Sequence, residues 1–128
     1  MWAGDTTSHG LGMTLDWVRP GMARLSMPVT AAMLNGLGTY HGGFIFALAD
    51  SAFAFACNTD SLASVASHCA VTFLQPARLG DSLVAEAAER HRAGRSDIYD
   101  VQVTAAGEVV AEFPGHSRTT GGRVVEVR

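Results

Sequence analysis

The segment FIFALADSAFAFAC, residues 44–57, constrains this chain more than any other stretch. Twelve of its fourteen residues are apolar, and the exceptions are Asp50 and Ser51. The run is long for a strand. Ala, Leu and Phe dominate it without enrichment in β-branched residues, so it predicts a helix. A helix that is apolar nearly all round is buried nearly all round. A sheet can wrap one side of it. A second copy of the same chain is the simplest cover for the rest.

The flanking sequence supplies the sheet. In Met22–Pro28, Ala23, Leu25 and Met27 alternate with Arg24 and Ser26, the pattern of a half-buried strand. In Ser96–Ala105, Tyr99, Val101 and Val103 oppose Ile98, Asp100, Gln102 and Thr104. Further strands are expected over 63–73, 82–91 and 109–119. Arg92–Arg95 with Gly94, and Ala106-Gly107, read as hairpin turns. Residues 29–42 read as loop, and 1–12 as a loose or helical lead-in. The expected fold is α+β: one curved antiparallel sheet around one central helix, in a single domain over 1–128.

Composition excludes several function classes. A net charge of −3 leaves no overall basic footprint for nucleic acid. Charged residues make up 16% against 48% apolar, lean for a small monomer and a pointer to buried subunit surface. No apolar run reaches membrane-spanning length, and the N-terminus lacks a basic-then-apolar signal pattern. Cys57 and Cys69 form no CxxC and lie in apolar contexts, so both read as reduced, buried thiols of a cytoplasmic protein. No two His or Cys have metal-ligand spacing and no phosphate-loop motif occurs, so neither metal nor cofactor is expected. His68, in an apolar strand, reads as a core histidine. His9, His91 and His116 read as surface residues.

Asp50 then needs a reason. Asp is a poor helix-interior residue, and its helical neighbours Phe46, Ala47, Phe53 and Ala54 are all apolar. Ionising a carboxylate there is costly unless it is hydrogen-bonded or used. A general base or nucleophile needs such a setting. The glycines at 42 and 43 allow close backbone approach to a ligand. The first N–H groups of the helix have no internal partners and carry the positive dipole end, which suits an oxyanion.

Gly42 and Asp50 lie eight residues apart in the sequence. Along one helix that is ~12 Å of rise. They cannot serve one carbonyl from the same helix, but two antiparallel helices across a two-fold could bring them together. The site is therefore expected twice per homodimer, through the central helix.

The segments LNGLGTYHGGFIFALADSAFAFACN and VTFLQPARLGDSLVAEA together resemble the hotdog-fold acyl-CoA thioesterases, in particular their phenylacetic-acid-degradation (PaaI-type) branch. The resemblance spans roughly residues 10–120. It implies a hotdog fold, a homodimer through the central helix that pairs into a homotetramer, and hydrolysis of acyl-CoA, with aryl-acyl groups such as phenylacetyl or hydroxyphenylacetyl favoured. By the same resemblance, Asp50 corresponds to the catalytic carboxylate, as nucleophile or as base for water. Gly42 corresponds to the N–H that polarises the thioester carbonyl. His41 and Asn35 orient the thioester and the loop, although His41 also reads as a cap and Asn35 as a turn residue. Ser67 lies near a hydroxyl that holds water in some relatives. Gly43, Phe44, Phe53 and Phe73 are expected to border the acyl pocket, and Arg95 and Arg118 the coenzyme A phosphates. A hydratase or dehydratase of the same fold would need a differently spaced His and carboxylate. A non-catalytic acyl-CoA binder would normally carry an effector domain, for which 128 residues leave no room.

Overall fold

A computed structural model describes residues 1–59 and 62–123. The single-domain expectation over 1–128 also takes in 60–61 and 124–128, which lie outside the described residues. The chain begins with a 3-10 turn and a short helix α1 (Thr6–Gly10). Strands β1 (Thr14–Arg19) and β2 (Met22–Pro28) follow, then the long helix α2 (Gly42–Cys57). Five strands complete it: β3 (Leu62–Cys69), β4 (Thr72–Phe73), β5 (Ser82–Ala93), β6 (Ser96–Ala105) and β7 (Glu108–Arg123).

The strands form one antiparallel sheet in the order β1-β2-β5-β6-β7-β3, with β4 pairing β7. The sheet wraps α2, as the apolar run requires. Ala23, Leu25 and Met27 of β2, and Tyr99, Val101 and Val103 of β6, turn inward and are buried. From the helix, Ile45, Leu48, Ala49, Ala52, Phe53, Phe55, Ala56 and Cys57 meet them. This is the hotdog arrangement expected from the sequence.

Four details depart from the sequence reading. Strand β1 has no counterpart in it: Asp16 and a register shift between Leu15 and Trp17 break its alternation. The expected strand over 63–73 divides into β3 and β4, because the regular ladder to β7 lapses at Ala70 and Val71, where only the Ala70 N–H still reaches the Pro114 carbonyl, at 3.2 Å. His68 is exposed rather than core, since β3 is an edge strand and the ring projects from its outer face. Of the two cysteines, neither of which forms a disulfide, only Cys57 is fully buried; Cys69 is half-buried.

The lead-in is a clamp on the central helix. Asp5 caps α1 by accepting from the Ser8 N–H at 3.0 Å. The buried Ser8 hydroxyl donates to Asp5 at 2.6 Å and meets the Ser51 hydroxyl of α2 at 3.1 Å. Trp2 packs edge-on against Phe55 at 5.8 Å.

Candidate active site

The sheet and the N-terminal clamp leave one face of α2 uncovered. Gly43 is exposed, and Ala47, Asp50 and Ala54 are half-buried. Their spacing of four, three and four residues puts them on one helical stripe. Asp50 is the only charged side chain on it. Among the described residues it makes no hydrogen bond and no ion pair. Burial alone pushes its carboxyl above its ordinary value. Its charge reaches Cys69 on β3, whose thiol is pushed up first by burial and then by Asp50. A half-buried carboxylate with free oxygens has the basicity and access that general-base or nucleophilic chemistry requires.

The helix start is built from the loop before it. Asn35 folds that loop: its side-chain oxygen accepts from the Leu37 and Thr39 N–H groups at 2.8 and 3.2 Å. The Tyr40 N–H bonds to Ala77 and the His41 N–H to Met33, at 2.9 and 2.8 Å. His41 is the N-cap, and its Nδ1 accepts from the Gly43 N–H at 3.1 Å. That bond uses the lone pair of Nδ1 and leaves Nε2 free to donate. The Phe44 N–H turns back to the His41 carbonyl at 3.0 Å. The Gly42 N–H, the first of the helix, has no acceptor among the described residues. It is a free donor at the positive end of a sixteen-residue helix.

Gly42 also has a packing reason. A Cβ there would lie 2.8 Å from the tip of the Phe73 ring. At Gly43 a Cβ would come within 3.3 Å of His41 Nδ1 and crowd the cap. Beside Gly42 opens a cleft of about 420 Å³, lined by Tyr40, Ile45, Phe73, Leu74, Gln75 and Pro76. Phe44 is half-buried next to it, edge-on to Tyr40 and His41 at 6.2 Å each.

The structure brings Asn35, His41, Gly42, Gly43, Phe44 and Phe73 together at this end of the helix. Asp50 stands about two turns further along. Phe53 is a correction to the sequence reading. It is 1% exposed, packs on Tyr99 and Phe113, and lies under Gly115, so it fills the core instead of bordering the cleft. The Ser67 hydroxyl donates to the His116 carbonyl at 3.1 Å on the edge strand. Arg95 and Arg118 are exposed at the far end of β6 and β7, where the Thr119 N–H bonds to the Arg95 carbonyl at 2.9 Å. Sequence reasoning missed Tyr40, whose loop carries no periodicity, and Ser51, whose hydroxyl is explained only by its contact with Ser8.

Among the described residues, no helix is long and apolar enough to cross a membrane. Comparison with known proteins agrees with the fold. The thioesterase superfamily model matches residues 37–112. Acyl-coenzyme A thioesterase PaaI of Escherichia coli is 42% identical over 125 residues, covering 97% of this chain and 89% of that protein. The solved structure of E. coli PaaI, from the phenylacetic acid degradation operon, superposes with a TM-score of 0.95 at 41% identity, over 98% of this chain and 91% of that one. A mutant structure of phenylacetic acid degradation protein PaaI from Thermus thermophilus gives a TM-score of 0.87 at 37% identity, over 90% and 99%. The chain belongs to the thioesterase superfamily, with the hotdog fold, and is a thioester hydrolase.

Proposed function

We propose that this protein hydrolyses acyl-CoA to the free acid and coenzyme A, with Asp50 and Gly42 supplied by different protomers of a homodimer. One observation carries the reading: the free Gly42 N–H and the unpartnered Asp50 carboxylate lie on the same uncovered helix but ~12 Å apart along its axis. Neither completes a site alone. Two such helices running antiparallel set the start of one against the middle of the other, and they cover the stripe of Gly43, Ala47, Asp50 and Ala54.

In this mechanism the thioester carbonyl oxygen accepts from the Gly42 N–H of one protomer. Asp50 of the other takes a proton from the water that attacks the carbonyl carbon and returns it to the departing sulfur, or itself attacks to give an acyl-Asp50 anhydride that water then hydrolyses, the thiolate taking its proton from solvent. In either course the C–S bond breaks and coenzyme A leaves as the thiol. His41 holds Gly43 and the first turn in place, and Asn35 holds the loop behind it. Gly43, Phe44 and Phe73 border the acyl group, and Arg95 and Arg118 face the coenzyme A phosphates. The apolar cleft at Gly42 suits an aryl-acyl group such as phenylacetyl or hydroxyphenylacetyl. The E. coli relative, whose name gives acyl-coenzyme A as substrate and whose operon is that of phenylacetic acid degradation, supports the choice. We place the enzyme in the cytoplasm as a homotetramer of two such dimers. Cys57 and Cys69, both outside any disulfide, accord with a reducing compartment.

The test is thiol release from phenylacetyl-, hydroxyphenylacetyl-, benzoyl-, acetyl-, hexanoyl- and lauroyl-CoA, with wild type beside Asp50→Asn. Arylacetyl thioesters should turn over best, and the variant should lose at least about two orders of magnitude in kcat. Preference for a fatty acyl thioester would overturn the substrate class. Undiminished kcat in the variant would overturn the role of Asp50.

A further inference from the structure

His68 and His116 are far apart in the sequence and carry no spacing motif, yet the sheet register makes them direct cross-strand partners on β3 and β7. Their ring centroids lie 5.4 Å apart with the planes at 76°. His68 is exposed and His116 half-buried. Along β7, Phe113, Gly115 and Ser117 turn into the core, so His116 projects from the opposite, outer face. Among the described residues no ring nitrogen of either histidine has a hydrogen-bond partner. We propose that this pair is a chelating site for one borderline divalent transition cation of the Zn²⁺, Ni²⁺ or Cu²⁺ class, made by ligands other than Asp50 and Gly42.

The ring separation is that of a chelate. A metal–nitrogen bond of about 2.0–2.1 Å puts the metal about 3.2 Å from the centroid of a ligating imidazole. Two such rings at a tetrahedral angle have centroids about 5 Å apart. Binding then requires only that χ rotations aim one nitrogen of each ring at a common point. The backbone is already held. The β3–β7 ladder pairs the two residues, and the Ser67 hydroxyl ties the bulge before His68 to the His116 carbonyl at 3.1 Å. Neutral imidazole is a ligand of choice for this class of cation.

The surroundings set the strength. Ile98 of β6 lies beside His116. One row along, Val65 pairs with Arg118, whose positive charge weakens cation binding. In the other direction Asp100 is engaged by Arg90 through two bonds of 3.0 Å. No cluster of three or more His, Cys, Asp or Glu forms among the described residues. The cation therefore has two protein ligands and keeps water in its other positions. Its affinity falls in the micromolar range, well short of a four-ligand structural site. Bound there, it cross-links the edge strand β3 to β7.

The experiment is calorimetric titration of chelator-treated full-length protein with ZnCl₂ at pH 7.5, beside His68→Ala, His116→Ala and Asp50→Asn. One Zn²⁺ should bind per chain, at least tenfold more weakly in either histidine variant and unchanged in Asp50→Asn. Both histidines are at the surface, so the metal-free variants should keep the wild-type melting temperature. The visible spectrum of the Co²⁺-loaded protein gives a second readout, and its nitrogen-ligand bands should vanish in His116→Ala. Absence of saturable binding would overturn the proposal, as would binding that survives both histidine substitutions.

Discussion

The tip of the Phe73 ring rests on Gly42, leaving 2.8 Å to the place where any Cβ at position 42 would stand. The residue at the helix start is thus fixed by the protein's own packing as well as by any ligand. Gly42→Ala keeps the N–H donor but strikes the ring. Overpacking of this kind costs about 1–3 kcal/mol, and Phe73 is exposed enough to yield in part. Denaturant midpoints should fall for Gly42→Ala and recover in Gly42→Ala/Phe73→Ala. Equal loss in the single and double variants would show that the contact does not govern the position.

His41 holds the second N–H of the helix through Nδ1. Losing an N-cap acceptor typically costs about 1 kcal/mol. His41→Ala should lower the melting temperature by a few degrees, and His41→Asn, which again offers an acceptor, should restore most of it. An unchanged melting temperature in His41→Ala would remove the capping role.

Asp50 links activity to stability. Burial raises its folded-state carboxyl above the unfolded value. A raised group contributes stability that is fully present below the unfolded pKa and is lost as pH rises through the folded one. At neutral pH the ionised carboxylate is therefore a burden on the protomer. Asp50→Asn should melt a few degrees higher than wild type at pH 7, with the gap closing toward pH 3. In the proposed mechanism, which needs the charged form, the same shift sets the acid limb of the rate profile above that of an ordinary carboxylate. A variant that melts lower at pH 7 would contradict the desolvated environment.

Asp97 is 5% exposed. Arg92 Nε donates to its Oδ2 at 3.1 Å, while its Oδ1 has no partner within hydrogen-bonding geometry among the described residues. Removing a partner from a buried carboxylate costs more than removing both groups. Arg92→Ala should destabilise by about 2 kcal/mol, less than for a fully buried pair because the guanidinium is half-exposed. Arg92→Ala/Asp97→Asn should regain part of that loss in chemical denaturation. Strict additivity of the two changes would show that they do not interact.

Much of the fold was legible in the sequence because its strongest signals are long. The apolar run 44–57 had to be a wrapped helix, and the alternation in Met22–Pro28 and Ser96–Ala105 had to be strands. Asp50 stood out because its helical neighbours Phe46, Ala47, Phe53 and Ala54 are all apolar. What escaped depends on tertiary neighbours. Phe53 is one turn from Asp50, yet its ring faces Tyr99 and Phe113 under Gly115, which only the sheet register reveals. His68 sits in an apolar stretch but on an edge strand, where small side chains face outward. Ser8 and Ser51 look like ordinary polar residues until α1 folds onto α2.

The proposed sharing of the site between protomers is open to subunit complementation. Gly42→Pro deletes the Gly42 N–H at the first helical position, where proline suits the backbone; its Cβ meets the Phe73 ring tip as any Cβ there does, so the melting temperature and dimerisation of the variant are measured beside its activity. The extended backbone of His41, with ψ of 127°, suits a residue before proline. Alone it should lose about 10²–10³-fold in kcat. Co-refolding Gly42→Pro with Asp50→Asn makes half of the dimers mixed by random association, each holding one site with both residues intact. Thiol release from phenylacetyl-CoA should then return to about a quarter of wild type. If mixed dimers form and remain as inactive as the parents, Asp50 and Gly42 do not act across the interface.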